Sequence, residues 1–449
     1  MASQDNAAQG SVRYDSVTEV STENGARTVE EPDACPYRRD VTTRPAEATA
    51  ESPSRRSVAA PTYTEDLFSP AAIADAERHY RVLRSLGPVA WSTKHKVYVV
   101  SRYREARAVL ADDAVFRSDG GIALTPLARI AGRHTTLLGD GGEHDRRRKL
   151  VASHLTPRAL RPSRSAVAAV AEEVVGRAVA RGEIDGVADI ALEMPLAIVP
   201  DLVGWPEDGR EKLLAWGVAS FDFAGPANRL FVKSLPGVIA MRRYVGGVIR
   251  RRDVQPDSAA ADLLAARDRG EITRTQCASL LIDLLAPSID TTASVIAAAL
   301  QLFADHPDQW EALRANRELM PNAINEVVRL ASPLRVFARR VVADTELGGT
   351  PIPAGARLLV FYAAANRDER MWTDPDRFDI TRNAAGHLGF GYGVHACAGQ
   401  GLGRLETTGV LDALLNSVDR IERRGDGRRA SNNIIARWEA LPLRLVPLA

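Results

Sequence analysis

A mostly α-helical fold with a minor β portion is what this sequence predicts, on three observations. From about residue 140 to 335 the pattern is helical throughout, with Ala, Leu, Arg and Glu filling segments such as AVAAVAEEVVGRAVARG and PNAINEVVRLAS. Runs of β type are short and scattered. Between 70 and 449 no stretch has the composition of an interdomain linker and no internal repeat is evident, so one domain is expected over 67–449.

The elements follow in order. Residues 1–66 contain no Leu, Ile or Phe and are dense in Ser, Thr, Ala, Glu, Asp and Arg, so they cannot bury enough apolar surface to offset the entropy of ordering and read as a disordered tail. The folded part begins near EDLFSPAAIADAERHYRVLRSLGPVAWSTKHKVYVVSRY, where a helical pattern leads into PVAWS and VYVVS, two apolar runs around a polar turn, as in a hairpin. Helices then dominate, and strands return only as RRVVADTEL, ARLLVFYAA and the closing LRLVPL.

Bulk composition excludes several function classes. With 45% hydrophobic and 26% charged residues the chain is an ordinary globular one, and a net charge of +1 gives no general attraction to nucleic acid or an acidic membrane. Cys35, Cys277 and Cys397 lie far apart, without a C-x-x-C pair or zinc-type spacing among the eight histidines. A disulfide scaffold is not expected, and a reducing cytoplasm suits the chain. No run of eighteen apolar residues and no apolar secretory core occur, so a soluble, cytoplasmic protein is expected.

The stretch FGYGVHACAG, Phe390 to Gly399, carries the chemistry. Gly391, Gly393 and Ala396 satisfy the dinucleotide fingerprint G-x-G-x-x-A, but that motif needs a buried strand before it, and TRNAAGHLGF is polar and broken. A buried structural cysteine is the ordinary alternative. Glycines at 391, 393 and 399 favour a third reading, a backbone bent tightly against something flat. Leu411, Leu414 and Leu415 follow at helical spacing, so the Cys397 thiol sits near a helix N-terminus that favours a thiolate, a metal ligand in waiting.

The stretch resembles the haem-binding loop of the cytochromes P-450, F-x-x-G-x-[RH]-x-C-x-G, matched at Phe390, Gly393, His395, Cys397 and Gly399. The resemblance implies a triangular α-helical domain with small β-sheets, haem b as cofactor with Cys397 as its axial iron ligand, and O2 as co-substrate. Companion motifs appear in family order. Glu326-x-x-Arg329, by itself an ordinary i, i+3 ion pair, resembles the family's E-x-x-R, whose third member would be Arg377 of DPDRFD. His144 and Arg148 in DGGEHDRRRKL resemble its H-x-x-x-R; with Arg339 and His395 they would hold the haem propionates. In LLIDLLAPSIDTTASVIAAALQLF, proline opens a kink and polar groups in an apolar helix need partners or a task. The resemblance makes this the helix across the distal haem face, with Asp290 and Thr291 as the acid–alcohol pair supplying protons; Pro287-Ser288 replaces the family's Ala-Gly.

Resemblance over residues 65 to 449 is closest to a bacterial branch that oxidises or O-demethylates small aromatic compounds. It implies a monooxygenase fed by a ferredoxin or flavodoxin with an NAD(P)H-dependent reductase, docking near a basic proximal surface. Asp119 and Asp283 fall where relatives that take benzoates would want a cation, so a neutral or amine-bearing aromatic is expected, in a pocket with Phe221, Leu334 and Phe337. The alternatives are a natural-product tailoring oxidase, a haem sensor and a peroxide-driven peroxygenase; the acid–alcohol pair argues against the last two.

Overall fold

The computed structural model describes residues 59–449. The expected tail lies outside the described residues as far as 58, but its end does not. Thr62–Tyr63 is a strand running parallel to Trp91–Ser92, and Tyr63, Leu67 and Phe68 are buried. The folded region therefore begins before the first leucine, anchored by a tyrosine and by backbone pairing.

The expected hairpin forms: Val89–Ser92 and Val97–Val100 pair antiparallel. It is part of a six-stranded sheet in the order Thr62–Tyr63, Val89–Ser92, Val97–Val100, Arg357–Phe361, Val336–Val341, Phe116–Arg117. Val97–Val100 lies parallel to Arg357–Phe361, and Val97, Val99, Val100, Leu358, Leu359 and Val360 are all buried, as β-branched and apolar runs are when both sheet faces are covered. A second sheet sets Pro442–Pro447 between Val418–Arg423 and Glu183–Asp185. Val418–Arg423 escapes a sequence reading because charged Asp419, Arg420, Glu422 and Arg423 surround its two buried anchors, Val418 and Ile421.

Six helices position the site: α1 (Gly141–Ala152), α2 (Leu213–Ala224), α3 (Arg229–Arg251), α4 (Arg274–Asp305), α5 (Met320–Ala331) and α6 (Gln400–Ser417). Helix α4 begins with a capping box: the Gln276 amide donates to the Thr273 hydroxyl and the Thr273 amide to the Gln276 side chain. It is apolar on nearly every side, the signature of a helix inside a protein core. Its 32 residues are long and apolar enough to cross a membrane, yet they are mostly buried in the fold. Helix α2 approaches so closely that a Cβ on Gly217 would stand 2.8 Å from the Ala286 carbonyl oxygen.

Pro287 does not end α4. Its ring removes one N–H from the ladder, and three hydroxyls bond back to carbonyls four residues earlier: Ser288 to Leu284, Thr291 to Pro287 and Ser294 to Asp290, each at 2.6 Å.

Candidate active site

The cysteine loop is shaped by two left-handed glycines, Gly391 at φ 72° and Gly393 at φ 70°. A side chain at 393 would also collide with the Leu110 carbonyl, 2.5 Å from a built Cβ. After a short 3-10 turn at Gly393–His395, the Cys397 amide donates to the Phe390 carbonyl at 2.7 Å and α6 starts at Gln400. No strand precedes the glycines, which disposes of the dinucleotide reading.

Cys397 is exposed and lines a cavity that residues of α4 also line, so its thiol is open to a ligand there. Burial pushes the thiol up, opposed by the Gly399 amide, the Arg148 guanidinium and the Gln400 amide. Those amides at the helix start are ready acceptor-facing donors for a thiolate. Cys277, by contrast, is sealed inside α4 with its thiol raised to about 11 by burial.

Four expected basic groups line the same cavity: His144, Arg148, Arg339 and His395. His144 is buried, its ring 4.3 Å from that of His395, and its Nε2 has no hydrogen-bond partner. Burial first, then His395, hold its imidazole below the ordinary value. Arg148 donates to the Ala396 carbonyl and Arg339 to the Ala338 carbonyl. A buried imidazole nitrogen without a partner, two guanidiniums with donors to spare and a loop thiol form a donor set that suits an iron porphyrin with carboxylate arms.

On the opposite wall stand Thr291 and Asp283 of α4, with Phe221 of α2, Leu334 and Phe337. Asp290 is not on that wall. It points behind the helix, 1% exposed, with Oδ1 3.5 Å from Arg437 Nε and Oδ2 unbonded. Burial raises its carboxyl to about 6 against the pull of Arg437. Asp283 Oδ2 accepts the Thr136 amide at 2.5 Å; burial pushes this carboxyl up to about 7, against Thr136 and the field of Arg147.

Two expectations are corrected. The Glu326–Arg329 pair is fully buried and bidentate, at 2.7 and 2.8 Å, and Arg329 also donates to the carbonyls of Asn366 and Pro375. Its third member is Arg382, whose Nε reaches Glu326 Oε1 at 3.1 Å; Arg377 is exposed and contributes only its backbone carbonyl. The turn closed by Arg382 N to Asp379 O brings the later arginine back toward Glu326. Asp119 does not line the cavity: it pairs at the surface with Arg340 at 2.7 Å and Arg117 at 3.3 Å.

Other polar residues were invisible to motif reading. Asp140 looks like a cap for α1 but makes no such bond; it accepts from the amides of Ser118 and Asp119 and from His395 Nε2 at 3.1 Å, fixing that ring. Glu406 of α6 is fully buried with neither oxygen in a hydrogen bond of ordinary geometry, though the Thr292 hydroxyl is near enough to oppose burial, which raises the carboxyl to about 8. The only sequence signal was an acid on an otherwise buried helix face.

Comparison with known proteins agrees with this geometry. The family described as Cytochrome P450 matches residues 248–419. Over 411 residues the chain is 38% identical to Cytochrome p450 CYP199A2 of Rhodopseudomonas palustris, covering 91% of this chain and all of that one. It is 34% identical to Cyclomarin C epoxidase CymV of Salinispora arenicola, over 78% of this chain and 90% of that one. The Mycobacterium marinum cytochrome P450 CYP268A2 in complex with pseudoionone superposes with a TM-score of 0.78 at 28% identity, covering 86% of this chain and 99% of that one. The chain belongs to the cytochrome P450 family: it is a haem-thiolate monooxygenase that uses haem b and O2.

Proposed function

We propose that this monooxygenase oxidises a small aromatic substrate whose head is an amine or another hydrogen-bond donor, by hydroxylation or oxidative O-demethylation. One observation carries the reading: Asp283 stands in the cavity wall with one oxygen anchored on Thr136 and its remaining open surface toward the cavity. Phe221, Phe223, Phe337 and Leu334 offer an apolar, partly aromatic lining for the ring. A benzoate would bring a second carboxylate to Asp283 and is disfavoured.

In this reading Cys397 ligates the iron, and His144, Arg148, Arg339 and His395 hold the propionates. When bound, haem supplies O2 activation and transfer of one oxygen atom to the substrate, with two electrons and two protons reducing the other atom to water. Thr291 holds the proton-donating hydroxyl on the cavity side, and Asp290 behind it stores the proton. Electrons come from a redox partner, which we take to be a ferredoxin or flavodoxin with its NAD(P)H reductase in the cytoplasm. Exposed Val394 and Tyr392 on the outer side of the cysteine loop, with Arg107 over the Tyr392 ring at 4.5 Å, suit such docking.

A second reading, tailoring of a larger metabolite, draws on the similarity to a cyclomarin C epoxidase. Spin-state titrations with para-methoxybenzylamine and para-methoxybenzoate, followed by phenol and formaldehyde assays, separate the possibilities. Binding and demethylation of the amine support the proposal; selective use of the benzoate, or no response to either, refutes it.

A further inference from the structure

Helix α3 turns one face to the cavity through Val238, Met241 and Arg242, spaced i, i+3 and i+4. Arg242 is exposed to solvent as well as lining the cavity, which puts it at the mouth. Its guanidinium donates to the Ala131 carbonyl through Nη2, and most of its donors are left over. Among the described residues no carboxylate pairs with it, and burial holds the guanidinium below its ordinary value with no acid to oppose that.

Asp283 holds the same stretch of chain. Ala131 and Thr136 flank a tight turn in which the Thr135 amide donates to the Gly132 carbonyl at 2.9 Å and the Thr135 hydroxyl donates to it at 2.7 Å. Arg242 takes the carbonyl just before that turn, and Asp283 takes the amide just after it. A tight turn brings its end residues within about 7 Å, so the two anchor points lie no more than about 15 Å apart. Cation and acid therefore line one cavity close together, yet neither is the other's partner.

The rest of the turn adds positive charge. Arg147 donates to the carbonyls of Arg133 and Thr135 at 3.1 and 3.2 Å, and Arg133 donates to the His134 ring at 3.0 Å. Among the described residues Glu143 is the one acid bonded to this group, through Arg147. Burial first, then Arg133 and Arg147, with Arg242 behind them, hold the His134 imidazole below its ordinary value against the pull of Glu143. Three guanidiniums around one carboxylate leave the mouth locally electropositive, a field that draws anions.

We propose that the substrate carries a carboxylate beyond its amine, as an aromatic α-amino acid does, with the ring toward the Cys397 end of the cavity, the amine at Asp283 and the carboxylate at Arg242. The inference rests on the reading of Asp283 as the seat of the donor head. Arg242 is then a specificity-determining residue: it keeps its bond to Ala131 and gives its remaining donors to the carboxylate. A benzoate lacks this order, because its acid is attached to the ring and would reach the depth of Asp283.

Spin-shift titrations of the ferric haem-loaded protein at pH 8 test this with O-methyltyrosine and with O-methyltyramine, the same molecule without the carboxylate; displacement of phenylimidazole supplies the constants where no spin shift develops. The parent should bind O-methyltyrosine about tenfold more tightly than O-methyltyramine, the worth of a hydrogen bond between charged groups. Arg242→Gln should bring the two ligands to parity by weakening the amino acid alone, and Arg242→Lys should keep part of the preference. Equal binding of the two by the parent, no binding of either, a preference that survives Arg242→Gln, or equal weakening of both ligands in that variant each overturns the proposal. Asp283→Asn should weaken both ligands and preserve their ratio. If it weakens neither, the donor-head reading fails, while the ratio in the parent and in Arg242→Gln still decides whether Arg242 takes a carboxylate.

Discussion

Binding of a cationic aromatic should depend on pH through Asp283. Its carboxyl, raised to about 7, is neutral below that value and charged above it, the reverse of an exposed aspartate that is ionised throughout the working range. At about pH 6 roughly one molecule in ten carries the charge, and at about pH 8 roughly nine in ten. Because para-methoxybenzylamine stays protonated over this span and pairs with the ionised form, its apparent Kd should fall about tenfold from pH 6 to 8, by the competent-fraction relation. In Asp283→Asn the curve should be flat. At pH 8 that variant should bind the amine more weakly by about 1.5–3 kcal/mol, the worth of a hydrogen bond to a charged group. Spin-shift titrations of the ferric enzyme at three pH values provide the constants. A flat parent curve, or para-methoxybenzoate binding as tightly as the amine at pH 8, would refute the reasoning.

Cys397→His should abolish the red-shifted Soret band of the reduced carbon monoxide complex, because that shift reports thiolate donation, while Cys277→Ser leaves it intact. Thr291→Ala should leave substrate binding near the parent value and divert reducing equivalents to peroxide, measured as product formed per NAD(P)H consumed. Glu406 has its folded pKa raised from 4.5 to about 8, so it destabilises the fold increasingly as pH rises between those values. Glu406→Gln should therefore gain on the parent by about 2 kcal/mol between pH 6 and pH 8, read from denaturant midpoints; a pH-independent difference would contradict this. Arg382→Ala should lower the denaturant midpoint and accelerate haem loss, whereas Arg377→Ala should change stability by no more than about 0.5 kcal/mol.

What could be read in the sequence was what depends on neighbours in the chain. The hairpin, the long apolar helix, the cysteine loop and the Glu326–Arg329 spacing are local patterns, and each forms. The errors and omissions sit where distant segments meet. Arg377 and Arg382 are equally plausible partners for Glu326 until a turn decides which guanidinium comes back to it. Asp119 is one residue beyond Ser118, which is fully buried, yet its side chain leaves for Arg340, more than two hundred residues away. Nothing near Asp290 announces Arg437, and nothing near His395 announces Asp140. A cap residue that declines to cap, or an acid on a buried helix face, is a weak sign that a remote partner exists; it does not say which.

The six-stranded sheet also dictates when this protein can fold. Val97–Val100 finds its second neighbour only in Arg357–Phe361, so the early hairpin leaves the ribosome with one edge open and waits for roughly 260 further residues. Contacts of such separation are formed late and slowly, and an apolar strand edge waiting for them is prone to pair with another copy. The second sheet sets a still later deadline, since Pro442–Pro447 is its middle strand and joins Glu183–Asp185 to Val418–Arg423. A chain stopped at residue 440 would leave both outer strands without a partner, and its yield should depend on slowed synthesis and chaperone capacity far more than that of the full-length chain.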